Sequence, residues 1–116
     1  MGRNDIARGL LIAALAFVFG AFGIWKFASP ILWIGWIPLW MEGLLGLTRD
    51  TWLQVIGAIE IILAVLLLIP HRRLRQIAAI LMALHLVAVL TQTGWNDITV
   101  RDTALLLSTF ALLLLL

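Results

Sequence analysis

A chain of 116 residues in which 64% are hydrophobic and only 12% charged has room for one domain and too little polar surface for a soluble one. Its net charge of +2 comes from scattered residues that form no soluble basic face, which excludes nucleic acid as a partner. With no cysteine, the chain carries no disulfide, no thiolate nucleophile and no thiolate-held metal or iron–sulfur site.

Residues 1–116 therefore read as a single membrane domain. The first apolar run is predicted to span from about 6 to 27. It follows a short arginine-bearing segment as a signal peptide would, but it is too long and has no small-x-small cleavage site. Ile6 stands where a myristoylation signal needs Ser or Thr. A second span is predicted over 51–69, a third over 74–91 and a fourth over 98–116, each close to the roughly 17–25 residues that cross a bilayer. Thr51 and Gln54 have capping-box spacing at the start of the second span, and Thr99 and Asp102 repeat it more weakly at the fourth. Pro70 stops the second span before a basic turn from His71 to Arg75.

The segment 30–47 is apolar enough to span, yet it carries Trp33, Trp36 and Trp40, is broken by Pro38 and is rich in glycine. Tryptophan prefers headgroup depth. Four spans with both termini cytoplasmic place Arg3, Arg8, Arg72, Arg73 and Arg75 inside, against Lys26, Arg49 and Arg101 outside. A fifth span would even out that bias. The positive-inside rule thus predicts an all-α bundle of four transmembrane helices with an outer interfacial or re-entrant segment between spans one and two. Two readings of Trp33, Trp36 and Trp40 remain: an outer aromatic belt, or the aromatic mouth of a ligand site.

Small residues Gly9, Ala13, Ala16, Gly20 and Gly23 recur on one face of span one, where close backbone approach drives helix association in lipid. Gly57, Glu60 and Ala64 share a face of span two, and Ala78, Met82, His85 and Val89 one of span three. Glu60 is the costliest of these. A carboxylate at bilayer depth is usually turned inward and partnered. Counted from Pro70, Glu60 stands about 15 Å above the inner end, and counted from Leu74, His85 about 16 Å, so the two lie at similar depth on adjacent antiparallel helices, where a hydrogen bond or ion pair is geometrically possible. That pair reads as helix glue, a ligand contact or a proton relay. Lys26, Arg101 and Asp102 lie nearer the outer margin. Lys26 reads either as snorkelling outward or as joining Glu60 in an internal cluster; Asp102 reads either as a capping acid or as part of that cluster. Arg72, Arg73 and Arg75 are predicted to face lipid headgroups.

The order of these features resembles the DoxX-like family of small bacterial and archaeal membrane proteins. The matching pieces are Gly23-Ile-Trp-Lys26-Phe, Gly57-Ala-Ile-Glu60 through Pro70, the arginine-bearing turn, Ala83-Leu-His85-Leu, and Gly94-Trp-Asn-Asp97 through Arg101-Asp102. The resemblance implies a four-helix bundle in a prokaryotic cytoplasmic membrane. It also implies a role as an accessory subunit of a redox or electron-transfer assembly, as in thiosulfate:quinone oxidoreductases, without catalysis by this chain alone. The residues themselves leave two further readings: a quinone- or lipid-binding protein built on Glu60 and His85, and a purely structural subunit. No metal and no resident cofactor are predicted; membrane lipids, other membrane subunits or further copies of the chain are the expected partners.

Overall fold

The computed structural model describes residues 2–116. Four long helices, α1 (Arg3–Ala28), α2 (Arg49–Leu68), α3 (Arg72–Thr93) and α4 (Asp97–Leu115), each pack on the next, and α4 closes the ring against α1. All four are long and apolar enough to cross a membrane. The shortest, α4 with 19 residues, reaches about 29 Å, against a hydrocarbon layer of about 30 Å. Large apolar side chains face outward all around the ring, among them Leu10, Phe17, Ile62, Leu84 and Leu107. In water such a surface would drive aggregation; in lipid it is the solvated one.

Four apolar stripes meet on the axis. Leu15, Leu67, Met82 and Leu112 are fully buried and Phe19 and Leu63 nearly so. This core fills the half of the bundle that carries both termini. In the other half the helices part around a polar centre.

Between α1 and α2 the chain makes no fifth helix. Residues 30–47 form four single 3₁₀ turns, broken at Pro38 and at Gly43, whose φ of 82° only glycine adopts freely. Trp33, Trp36 and Trp40 thus stand on successive turns rather than on one helix face. Arg49 ties this segment down. Its Nη2 donates to the carbonyls of Ile34 (2.9 Å) and Ile37 (2.8 Å), its Nε donates to Ile37 again (3.1 Å), and its backbone N–H donates to Glu42 (2.9 Å). Trp52 Nε1 adds a bond to the Leu44 carbonyl, and Trp40 Nε1 reaches across to Gln92 of α3. Arg49→Ala leaves the two carbonyls without these donors. Amide exchange should then accelerate about tenfold or more in residues 34–42 while α3 keeps its protection, measured by hydrogen–deuterium exchange in detergent.

Two helix starts differ from the sequence reading. Thr48, not Thr51, caps α2: its Oγ1 accepts the Thr51 N–H at 3.2 Å, because the turn at 49–51 is already fixed by the bonds of Arg49. Asn96, not Thr99, caps α4, accepting the Thr99 N–H at 3.1 Å. Asp102 therefore sits in the second turn and is no cap. At the termini end, arginines donate to helix C-terminal carbonyls: Arg75 to Leu67, Arg72 to Leu116 and Arg8 to Leu115. Two of the three arginines assigned to headgroups thus also close helix ends.

The small-residue stripe of α1 works over part of its length. Gly23 lies against the backbone of Gly57 and Ile61, and Gly20 against Ala64. Gly9 and Ala13 are exposed, because α2 runs antiparallel and stops at Leu68, short of them.

Candidate functional site: a buried polar centre under an aromatic cap

At Gly23 and Gly57 two backbones come within touching distance. A Cβ on Gly23 would stand 2.6 Å from the Gly57 oxygen, and a Cβ on Gly57 would stand 3.2 Å from Lys26 Cβ. Helical side chains lean toward the helix N-terminus. Lys26, in the last turn of α1, therefore reaches back into the bundle from the Gly57 level to the Glu60 level. It does not snorkel outward: it is 7% exposed, and its Nζ lies 2.6 Å from Glu60 Oε1. The physical reason is that a carboxylate is available inward, whereas outward its path is covered by Trp33, whose ring centroid is 4.2 Å from Nζ.

Glu60, 5% exposed in mid-α2, takes a second partner from α3. His85 Nε2 is 3.2 Å from Glu60 Oε2, an arrangement in which an ionised carboxylate accepts from the ring N–H. The imidazole tilts against Phe19, with centroids 5.8 Å apart. Three helices thus converge on one carboxylate. The contact of Lys26 with Oε1 is a close ion pair without hydrogen-bond alignment, so Oε1 has charge compensation but an unused acceptor position.

On α4, Arg101 Nε donates to Asp102 Oδ1 at 3.2 Å, and the guanidinium lies over the Phe22 ring at 4.6 Å. Phe22 also stands 5.8 Å from Lys26 Nζ, so one ring faces both cations. Sequence reading missed Phe22. Its signal was its place four residues before Lys26, on the same helix face. Asp102 is 5% exposed and Arg101 is partly open. Lys26, Glu60 and His85 make direct contact; Arg101 and Asp102 form a separate pair.

Both groups border one cavity of about 510 Å³, under the 30–47 segment. Its floor carries Lys26, Glu60 and His85, and Arg101 and Asp102 form one wall. Trp33, Trp36 and Trp40 all face it, so the aromatic segment lines a chamber even where its outer edges are exposed, as at Trp36 and Trp40. The rest of the lining is largely apolar. Trp33, whose side chain lines the cavity, has its Nε1 buried without a hydrogen-bond partner. A buried indole N–H normally finds an acceptor. Two cations balance two carboxylates around the cavity, leaving it without net charge when His85 is neutral. Among the described residues no cluster of three or more His, Asp or Glu has the geometry of a metal site.

Fold and site together define a multi-pass membrane protein, a four-helix bundle with a charged centre and a roofed cavity in one half. The chain belongs to the family described as a domain of unknown function, DUF8561, whose model matches residues 15–94. That stretch holds Lys26, the tryptophan segment, Glu60 and His85, and ends before Arg101 and Asp102. Neither the curated proteins nor the solved structures yield a match.

Proposed function

We propose that this protein binds a neutral amphiphile, a quinone or an uncharged lipid, in the cavity beneath Trp33, Trp36 and Trp40. The observation that carries the proposal is a cavity of ligand size whose walls are largely apolar and whose charges already cancel. Cavities of about 300–1,000 Å³ with few polar groups and apolar walls are the usual form of small-molecule sites. Charge balance favours an uncharged ligand, since an anion would meet Glu60 and Asp102 as well as Lys26 and Arg101. The aromatic walls suit a planar ring, and Trp33 Nε1, buried and without a partner, is a donor that a ligand carbonyl would meet on a small turn of the indole. An uncharged lipid would offer an ester carbonyl to the same donor.

The DoxX-like resemblance bears on this reading because its landmarks, Lys26, Glu60, His85, Arg101 and Asp102, all border the cavity. It adds a second proposal, service as a subunit of a redox assembly in a prokaryotic cytoplasmic membrane, with both termini on the cytoplasmic side. Being cysteine-free, the chain has no thiol with which to pass electrons. A quinone held here would exchange electrons with a partner protein, and the chain's own residues would orient it and exclude water.

The test is chemical. The protein is purified in a mild detergent, extracted with organic solvent, and the extract quantified by mass spectrometry. We expect close to one neutral ligand per chain in the wild type, about tenfold less in Trp33→Phe, and no change in Trp95→Phe, whose ring is 87% exposed and outside the cavity. Absence of any bound neutral amphiphile, together with no saturable uptake of a short-tailed benzoquinone, would refute the binding reading. Recovery of this chain alone from several mild detergents would count against the subunit reading.

A further inference from the structure

A second concavity lies at the opposite end of the bundle, where α1 continues past the end of α2. It is lined by Asp5, Arg8, Gly9, Ala13, Leu68 and Arg75 and is open, with a volume of about 660 Å³. Its floor is smooth because Gly9 and Ala13 contribute almost no side chain, and a Cβ on Gly9 would meet nothing within 4 Å. Its rim is cationic. Arg75 commits its Nε to the Leu67 carbonyl, and Arg8 commits Nε to Leu115 and Nη1 to Asp5. The terminal nitrogens of Arg75 and the second terminal nitrogen of Arg8 remain, and a guanidinium fork matches phosphate geometry.

We propose that this groove is a binding site for one anionic phospholipid, with the phosphate between Arg8 and Arg75 and an acyl chain along Gly9 and Ala13. Charge selects the occupant. This end of the molecule carries Arg3, Arg8, Arg72, Arg73 and Arg75 against the single side-chain acid Asp5. A second copy docking through the same face would bring an equally positive surface, whereas a phosphodiester brings the missing anion. An acyl chain also fits a floor of glycine and alanine that no helix of this chain covers. The site is independent of the cavity under the tryptophans.

Native mass spectrometry of the full chain, exchanged into micelles containing equal dioleoyl-phosphatidylglycerol and dioleoyl-phosphatidylcholine, tests the proposal. One phosphatidylglycerol is expected to persist on the wild type at activation energies that strip phosphatidylcholine. R8Q and R75Q should each reduce that retention about tenfold. R73Q removes the same charge outside the groove and should change it less than twofold. Because Arg75 also holds a helix end, G9L carries the test without touching any charge: it fills the floor and should lower retention about as far as R8Q. The proposal is overturned if R73Q matches R75Q, since bulk charge then suffices. It is equally overturned if G9L binds normally, if phosphatidylcholine is retained equally, or if excess inorganic phosphate displaces the bound species.

Discussion

Replacing Glu60 by alanine is expected to destabilise the bundle by about 3–5 kcal/mol, among the largest effects of any single substitution in this chain. The cost comes from what remains. Lys26 is 7% exposed and is left with a buried charge facing only the rings of Trp33 and Phe22. His85 loses its acceptor at the same time. Glu60→Gln should cost less, because the amide oxygen still accepts from His85, but it too leaves the ammonium without a counter-charge. The decisive comparison is the paired replacement Lys26→Met with Glu60→Met. Swapping a buried ion pair for apolar side chains of similar volume is often neutral or stabilising. The double variant is therefore expected within about 1–2 kcal/mol of the wild type. Thermal unfolding in detergent, followed by tryptophan fluorescence, measures all of these. A double variant as unstable as Glu60→Ala would show that the carboxylate acts through something other than Lys26.

Gly23→Leu is expected to separate α1 from α2. A Cβ at position 23 already stands 2.6 Å from the Gly57 carbonyl oxygen and 2.6 Å from Ile61 Cγ1. The first of these is backbone and cannot rotate away. Gly23→Ala should cost about 1–3 kcal/mol as α2 shifts outward, and leucine more than that. The same shift lengthens the reach of Lys26, which leaves α1 one turn beyond Gly23. Any cavity ligand should therefore be lost in Gly23→Ala in parallel with stability, whereas Trp33→Phe should lose ligand alone. Ligand content plotted against melting temperature for the two variants separates the cases. Gly9→Ala, on the same stripe, should change the melting temperature by little, since no helix faces it.

The class of the protein was legible because bilayer physics is written directly into composition. Four apolar runs of spanning length, a basic turn beside Pro70 and three tryptophans in one linker are one-dimensional signals, and the fold has four long apolar helices. The common depth of Glu60 and His85 was legible too, since a constant rise per residue converts distance from a tight turn into depth. Lys26 was ambiguous for a definite reason. A lysine near a helix end reaches outward or inward with nearly equal ease, and the choice depends on which neighbour offers a carboxylate. The same limit applied to Arg49. As a charge it counted only toward topology, whereas in the fold it gathers two carbonyls of the preceding segment. Nothing in residues 34–37 marks those carbonyls as acceptors, because every backbone carries them.

By itself the sequence determined an all-α membrane bundle, the number of its spans and, over part of their length, the helix faces turned inward. In lipid, an unsatisfied backbone and a lone buried charge are too costly to leave any other arrangement. Only the tertiary structure decided what those faces enclose. Close contact at Gly23 and Gly57 draws α1 and α2 together and sets Lys26 onto Glu60, and the segment held by Arg49 roofs the space beyond. That roofed cavity depends on helix tilt and side-chain direction at several distant positions at once, and no local pattern along the chain records it.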